Sequence, residues 1–362
     1  MTDESNFPSS AGGPQGELRP AENAPDGKSW PDSWSGPGLG PLLVLAGPTA
    51  VGKTDLSIGV AEALDGEIIN ADSTLVYRYM DIGTAKPSLA ERRGVPHHLI
   101  DIISPDEPFS VAEFVQLVRR TIAAVHGRRR LPILVGGTGL YLKAVVEGYA
   151  FPTTRADPAL REKLRRIAET EGKEALHRRL AAVDPQKAAR LHPNDVKRVI
   201  RALEIYEELK RPMSQMEKKE AAPYDVLFLV LTRPRPILYE RINQRVLEQI
   251  RQGLVEEVAG LLARGYSPKL FSLQTLGYKE IIAYLKGLCT LEEAIRLIQR
   301  NTRHLAKRQL TWFRGQAGIT WLELGDNRED DVARIARKVV ERWPFFGEAF
   351  FRKRVGNGAF LW

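Results

Sequence analysis

Residues 47–54 read GPTAVGKT and fit the phosphate-loop pattern G-x-x-x-x-G-K-[ST]. The apolar run Pro41-Leu42-Leu43-Val44-Leu45-Ala46 precedes the loop, and the helix-like stretch Asp55–Leu64 follows it. Strand, tight loop and helix in that order point to a layered α/β fold. Gly47 and Gly52 let the backbone curl so that N–H groups face an anion. A helix starting near Lys53 aims its positive end at the same place. Lys53 adds a mobile charge, and the Thr54 hydroxyl suits Mg²⁺. The chain is therefore expected to bind a polyphosphate or diphosphate ester, as ATP-binding and other nucleotide-binding proteins with this loop do.

The rest of the chain extends that pattern. Short apolar runs at 42–46, 66–71 (GEIINA) and 131–137 (LPILVGG) alternate with helical patterns at 53–64 and 111–129. This predicts a parallel, doubly wound sheet flanked by helices, as in phosphate-loop NTPases. Residues 155–222 lack strand signals and are dense in Arg, Lys, Glu, Ala and Leu, which predicts a helical insertion. Asp157-Pro158 opens one helix there, and Pro185 and Pro193 punctuate later ones. The sheet pattern returns at 225–232 and 319–324, with helices expected at 236–252, 254–263, 276–286, 291–314 and 329–342. The expected core is thus 41–154 plus 223–342. Residues 1–40, rich in Pro, Gly and Ser, are expected to form a disordered tail. Residues 343–362 form an aromatic tail expected to dock on the core.

Composition narrows the partners. The 362-residue chain carries a formal net charge of +8, as nucleic-acid-binding chains often do. One cysteine, Cys289, excludes a disulfide framework and a cysteine zinc cluster, and fits a reducing cytoplasm. No apolar run approaches the roughly 20 residues that span a bilayer, so no membrane role is expected. Met1–Pro20 has no apolar stretch of the signal-peptide kind. The adjacent His97 and His98 read as a structural or loop pair, since no third metal ligand is evident.

Asp72 follows the second strand, where ligands bind in doubly wound sheets. A carboxylate there serves as a general base, a metal ligand or a turn-forming cap. A small-molecule kinase would need a strand-end Asp after the LPILV run, but Gly136-Gly137-Thr138 stands there. A nucleotide-gated RNA-binding module is the other alternative. It would bind RNA with no covalent product.

The motif set is more specific than any one of its parts. GPTAVGKT, INADSTLVYRYMDIGTAKP (69–87), LVGGTGLYLKA (134–144), HPNDVKRVIRALEIY (192–206), ERINQRV (240–246), GLVEEV (253–258), LGYKE (276–280) and LAKRQLTWFRG (305–315) occur in order. Together they resemble the bacterial form of the tRNA dimethylallyltransferases over about residues 41–318. Leu75 stands where many members carry Gln.

The resemblance implies transfer of a dimethylallyl group from dimethylallyl diphosphate to N6 of the adenosine 3′ of the anticodon. The loop Gly47, Pro48, Thr49, Ala50, Val51, Gly52, Lys53 and Thr54 would hold diphosphate as leaving group, with Mg²⁺ on Thr54. Allylic C–O cleavage puts negative charge on that group, and Lys53, loop N–H groups and Mg²⁺ would stabilise it. The resemblance assigns Thr49 and Arg245 to the same site, and Asp72 as the base for the exocyclic amine. It puts tRNA contacts at Asp72, Ser73, Thr74, Leu75, Thr138, Arg161, Lys197, Arg198, Val199, Ile200, Arg201, Gln274, Thr275, Leu276, Gly277, Tyr278 and Lys279. Thr138 would hydrogen-bond near Asp72 or cap the helix beginning near Gly139. The target adenine must be unstacked to reach the site. Arg296, Arg300, Arg303, Lys307 and Arg314 form a basic stripe on 291–314, with Ile298, Leu305 and Trp312 on another face. The partners expected are a tRNA anticodon stem-loop and dimethylallyl diphosphate, with the enzyme acting as a monomer.

Overall fold

Pro41–Ala46 forms a strand, β1, at the middle of one six-stranded parallel sheet. The computed structural model describes residues 38–149, 157–216 and 223–347. The expected disordered tail thus lies outside the described residues except for its last three. The other strands are β2 (Gly66–Asn70), β3 (His97–His98), β4 (Leu131–Gly136), β5 (Asp225–Thr232) and β6 (Thr320–Glu323). Their order is β3–β2–β4–β1–β5–β6, all parallel. The two-residue edge strand β3 holds the histidine pair. There His97 Nδ1 lies 2.8 Å from the Val95 carbonyl and His98 Nε2 lies 2.6 Å from Glu67. No cluster of metal-binding side chains occurs among the described residues.

Alternation along β1 separates two cores. Leu43 and Leu45 face helices α1 (Lys53–Leu64) and α13 (Arg328–Arg342), where Leu56, Val60, Ile335 and Val339 pack. Leu42, Val44 and Ala46 face α2 (Val111–Gly127) and α3 (Gly139–Val146), against Phe114, Val118, Ile122 and Leu142. Both faces of β1 are buried, which is why it reads as an unbroken apolar run. α2 starts at Ser110, whose side chain accepts from Glu113 N–H while Glu113 accepts from Ser110 N–H.

Helices α4 (Pro158–Thr170), α5 (Lys173–Val183), α6 (Pro185–Ala188), α7 (Val196–Leu209) and α8 (Met213–Met216) pack mainly on one another. They share a core of their own built from Leu164, Ile167, Leu176, Leu180, Val199 and Leu203. Asp157 caps α4 by accepting from the N–H groups of Ala159 and Leu160 at 2.9 and 3.0 Å, and Pro158 occupies the first turn.

A further apolar cluster joins α9 (Arg235–Arg251), α10 (Leu254–Ala263), α11 (Tyr278–Leu285) and α12 (Leu291–Arg314) to Val76 and Met80. The buried side of α12 runs through Ala294, Ile298, Thr302, Ala306 and Phe313. Ile298 lies on that buried side and Leu305 and Trp312 are half-buried, while Arg296, Arg300, Lys307 and Arg314 of the basic stripe are exposed. A straight helix drifts away from a strict heptad, so its buried line steps mostly by four. After α13, Trp343 is buried and its indole N–H donates to Asp225 at 2.8 Å, and Phe346 is buried beside it. Phe350, Phe351, Phe360 and Trp362 of the aromatic tail lie outside the described residues.

Candidate active site

Parallel strands present their C-terminal ends together, and ligands of open α/β sheets bind there. The loops after β1, β2 and β4 meet α9, α11, α12 and the 81–93 segment around one cleft of about 2210 Å³. Thr49, Lys53, Thr54, Asp72, Ser73, Thr74, Leu75, Thr138, Arg245, Thr275, Leu276 and Lys279 all line it. Residues far apart in the chain are thus brought to one place.

The phosphate loop is held from behind. Gly52 has φ 111°, and the non-glycine Ala50 has φ 62°. A left-handed non-glycine residue costs roughly 1–2 kcal/mol, so its surroundings must hold it. Arg241 Nε donates to the Ala50 carbonyl and Arg233 Nε to the Val51 carbonyl, each at 3.0 Å. Turning those carbonyls outward favours inward-facing N–H groups. Lys53 Nζ donates to the carbonyls of Gly47 and Pro48 at 2.9 and 2.8 Å. Burial pulls the Lys53 ammonium down to about 8, against the attraction of Asp72 and with the repulsion of Arg245. Arg245 is likewise pulled down by burial, with Asp72 opposing and Arg241 assisting. Lys53, Arg245 and Asp72 therefore share one electrostatic environment.

Asp72 is tethered on one side. Its Oδ1 accepts from Thr74 N–H at 3.0 Å and from the Thr74 hydroxyl at 2.7 Å. Its own N–H donates to Asn70 Oδ1 at 2.8 Å. Oδ2 accepts no hydrogen bond among the described residues, so a proton-accepting oxygen remains beside the cations. The Thr138 hydroxyl accepts from Ser73 N–H at 3.3 Å and makes no cap to α3. Of the two expected roles, the Thr138 hydroxyl takes the bond to the Asp72 loop, while Thr138 holds the N-cap position of α3 through its carbonyl alone.

Mg²⁺ prefers hard oxygen ligands and commonly takes few from protein and the rest from phosphate and water. The Thr54 hydroxyl at the start of α1, exposed on the cleft, fits that donor chemistry.

Opposite the phosphate loop, Glu257 accepts from the consecutive N–H groups of Asp81, Ile82 and Gly83 at 2.8, 2.7 and 3.1 Å. The Tyr278 hydroxyl donates to the same carboxylate at 2.6 Å. Tyr278 is fully buried, and burial beside Glu257 pushes its phenol up. Tyr278 lines the cleft where the RNA contact is expected, and its hydroxyl supports this loop. Gln274 donates to the Pro268 carbonyl away from the cleft lining, and Gly277 is buried.

The basic residues of the insertion lie outside this cleft. Arg161 and Arg201 both pair with Glu204, which is buried, at 2.5 and 3.4 Å. Arg198 pairs with Asp195 at 3.0 Å, and Lys197 is exposed. Val199 and Ile200, expected as tRNA contacts, are buried in the insertion core. Their side chains are thereby corrected to packing roles, because α7 turns them inward while Lys197 and Arg198 face out.

Sequence reading missed Gln309, Arg233, Arg241 and Glu257. Gln309 accepts from Thr49 N–H and donates to the Gly137 carbonyl, each at 2.9 Å. One signal existed for it: it shares a helix face with Leu305 and Trp312, where a polar residue interrupts an apolar line.

This geometry is that of a parallel α/β protein whose cleft brings the glycine-turned loop 47–54 and its buried cations beside a tethered carboxylate. A family model described as IPP transferase matches residues 75–316. The tRNA dimethylallyltransferase of Desulforudis audaxviator is 55% identical over 286 residues, covering 78% of this chain and 92% of that relative. Its counterpart from Symbiobacterium thermophilum is 52% identical over 308 residues, covering 84% of this chain and 96% of the relative. The crystal structure of the full-length tRNA isopentenylpyrophosphate transferase of Bacillus halodurans superposes with a TM-score of 0.63 at 43% identity, covering 86% of this chain and 99% of that one. A eukaryotic dimethylallyltransferase described as acting on tRNA superposes at 0.69 with 30% identity, covering 85% and 80%. The chain belongs to the IPP transferase family, the family of the tRNA dimethylallyltransferases.

Proposed function

We propose that this chain transfers a dimethylallyl group from dimethylallyl diphosphate to N6 of the adenosine 3′ of the anticodon in tRNA. A transferase that prenylates tRNA is the activity that family membership carries. The observation that supports the chemistry is the grouping of Lys53 and Arg245 with an Asp72 that keeps one oxygen open.

In the reaction, N6 attacks C1 of the dimethylallyl group, and the C1–O bond breaks. The diphosphate leaves with the electron pair, and the N6 proton passes to Asp72. The exocyclic amine is a poor nucleophile because its lone pair is conjugated with the ring. A carboxylate within hydrogen-bond reach aligns it and accepts its proton. Lys53, Arg245, the Thr49 hydroxyl and the loop N–H groups stabilise the charge that develops on the diphosphate. Mg²⁺ on Thr54 would supply further charge neutralisation there. The cleft would hold the unstacked adenine beside Ser73, Thr74 and Leu75. Lys197, Arg198 and the partly exposed Arg161 and Arg201 would meet phosphates of the anticodon stem-loop.

The test is mass analysis of tRNA incubated with the protein, dimethylallyl diphosphate and Mg²⁺. A gain of one isopentenyl unit on that adenosine is expected. Nucleotide-dependent RNA binding with no covalent product would replace this reading with the non-enzymatic module. Phosphoryl transfer from ATP would replace it with the kinase.

A further inference from the structure

Gln309 sits on α12 at the rim of the cleft, with both ends of its amide in use. Its oxygen accepts from Thr49 N–H, in the phosphate loop. Its nitrogen donates to the carbonyl of Gly137, the first residue after β4. The strands that lead to those residues are ladder neighbours, and their last paired residues are Ala46 and Gly136. The ladder ends there. A side-chain amide carries one donor and one acceptor face, like a peptide unit. Gln309 bridges the two strand exits beyond the last ladder pair.

The bridge continues toward the base. Thr138 follows Gly137, and its hydroxyl accepts from Ser73 N–H at 3.3 Å. Ser73 follows Asp72. A path of peptide links and hydrogen bonds therefore joins the phosphate loop to the carboxylate through Gln309. The approach is close: a Cβ on Gly137 would lie 2.4 Å from Gln309 Nε2, so any side chain there would displace the amide from this position.

We infer that Gln309 is a positioning residue for prenyl transfer, one that sets the spacing between the diphosphate loop and the Asp72 loop. The inference rests on the proposed reaction. The two loops hold the leaving group and the base, which must act on opposite partners of one bond exchange. Reacting atoms need near-contact alignment, so a drift of about 1 Å costs roughly 10²-fold in rate. Gln309 touches neither reacting partner in this role and acts through the two backbones.

The test uses the full chain and two variants. Gln309→Met keeps the length and loses both hydrogen bonds. Gln309→Glu keeps the acceptor for Thr49 and loses the donor for Gly137. Amide hydrogen exchange on the protein alone should quicken at 47–52, 136–139 and 72–74 in Gln309→Met. In Gln309→Glu it should quicken at 136–139 and 72–74 more than at 47–52. With dimethylallyl diphosphate and an anticodon stem-loop RNA both saturating, single-turnover transfer by Gln309→Met should fall about 10- to 100-fold. Its affinity for inorganic diphosphate, measured by calorimetry, should change less than about threefold, since loop N–H groups and charges remain. Unchanged exchange at 72–74, or an unchanged single-turnover rate, overturns the inference. So does a rate loss fully matched by lost diphosphate affinity, which would make Gln309 a donor-site support alone. A wild-type protein that prenylates no RNA overturns the proposed function, and the exchange pattern still decides whether Gln309 couples the loops.

Discussion

The chain places its cations in two different settings. At the phosphate loop, Lys53 is held against the loop carbonyls and burial pulls its ammonium down to about 8. Arg233 and Arg241 are tied to loop carbonyls, and Arg245 feels Asp72. On the insertion, Lys197 is exposed, and the Arg198 side chain is 75% exposed beside Asp195. Charges of the first kind are preorganised in a low dielectric and suit a transition state. Charges of the second kind are screened and mobile, and suit a long polyanion. On the proposed function, the same residue types would serve chemistry in one region and adhesion in the other.

Four experiments would break or sharpen that contrast. Asp72→Asn has the largest expected effect, a loss of about 10²-fold or more in turnover, the scale of general-base removal. Diphosphate affinity should change far less. Near-normal turnover at saturating substrates would remove Asp72 from the base role. Arg245→Ala should follow, with a loss of roughly 10²-fold concentrated in the chemical step, because its charge is needed most as diphosphate departs. Its tRNA affinity without donor should hold. If tRNA binding fell and donor kinetics did not, Arg245 would belong with the insertion's cations.

The pH experiment comes third. Diphosphate favours charged Lys53, whose value in the folded chain is about 8. Donor affinity should weaken above pH 8, by at most about tenfold per unit. The stability sign runs the other way. Between about 8 and 10.5 the unfolded chain holds the Lys53 proton and the folded chain does not. Folded stability therefore rises with pH across that window relative to Lys53→Met. Parallel denaturant titrations of both proteins check this, and a flat difference would mean that Lys53 is not desolvated.

The smallest effect is expected on the insertion. Replacing Lys197, Arg198 and Arg201 with Ala should flatten the salt dependence of tRNA affinity by about one unit per true phosphate contact. Arg201 is partly committed to Glu204, so the exposed Lys197 and Arg198 should dominate the change. Donor binding should be spared. An unchanged slope would reduce the cluster to a solvated helix face.

Much of the fold was legible because its signals are local. β1 and β4 are buried on both faces, so each is an apolar run that needs no partner to be recognised. The two-residue β3 was not legible, since it exists only by pairing Ile68 and Ile69 of β2 with His97 and His98. The loop Gly47–Thr54 announced its own conformation through its glycines. Gln309 did not, because its role depends on α12 passing over two strand exits more than 170 residues away in the chain. The inward turn of Val199 and Ile200 was not legible for a related reason. A motif marks a stretch of helix, and only packing says which of its faces is inside.

By itself the amino-acid sequence determined the parallel α/β core, the glycine-turned loop 47–54, the helical character of 157–216 and the residue types of the candidate site. Those follow from periodicity, glycine conformation and charge, which act over a few residues. Tertiary structure alone decided that Lys53, Asp72 and Arg245 share one environment, that the Thr138 hydroxyl reaches the Asp72 loop, and that the buried Tyr278 bonds to Glu257. Desolvation and hydrogen-bond distance depend on what else arrives at the same point in space, and no local pattern carries that information.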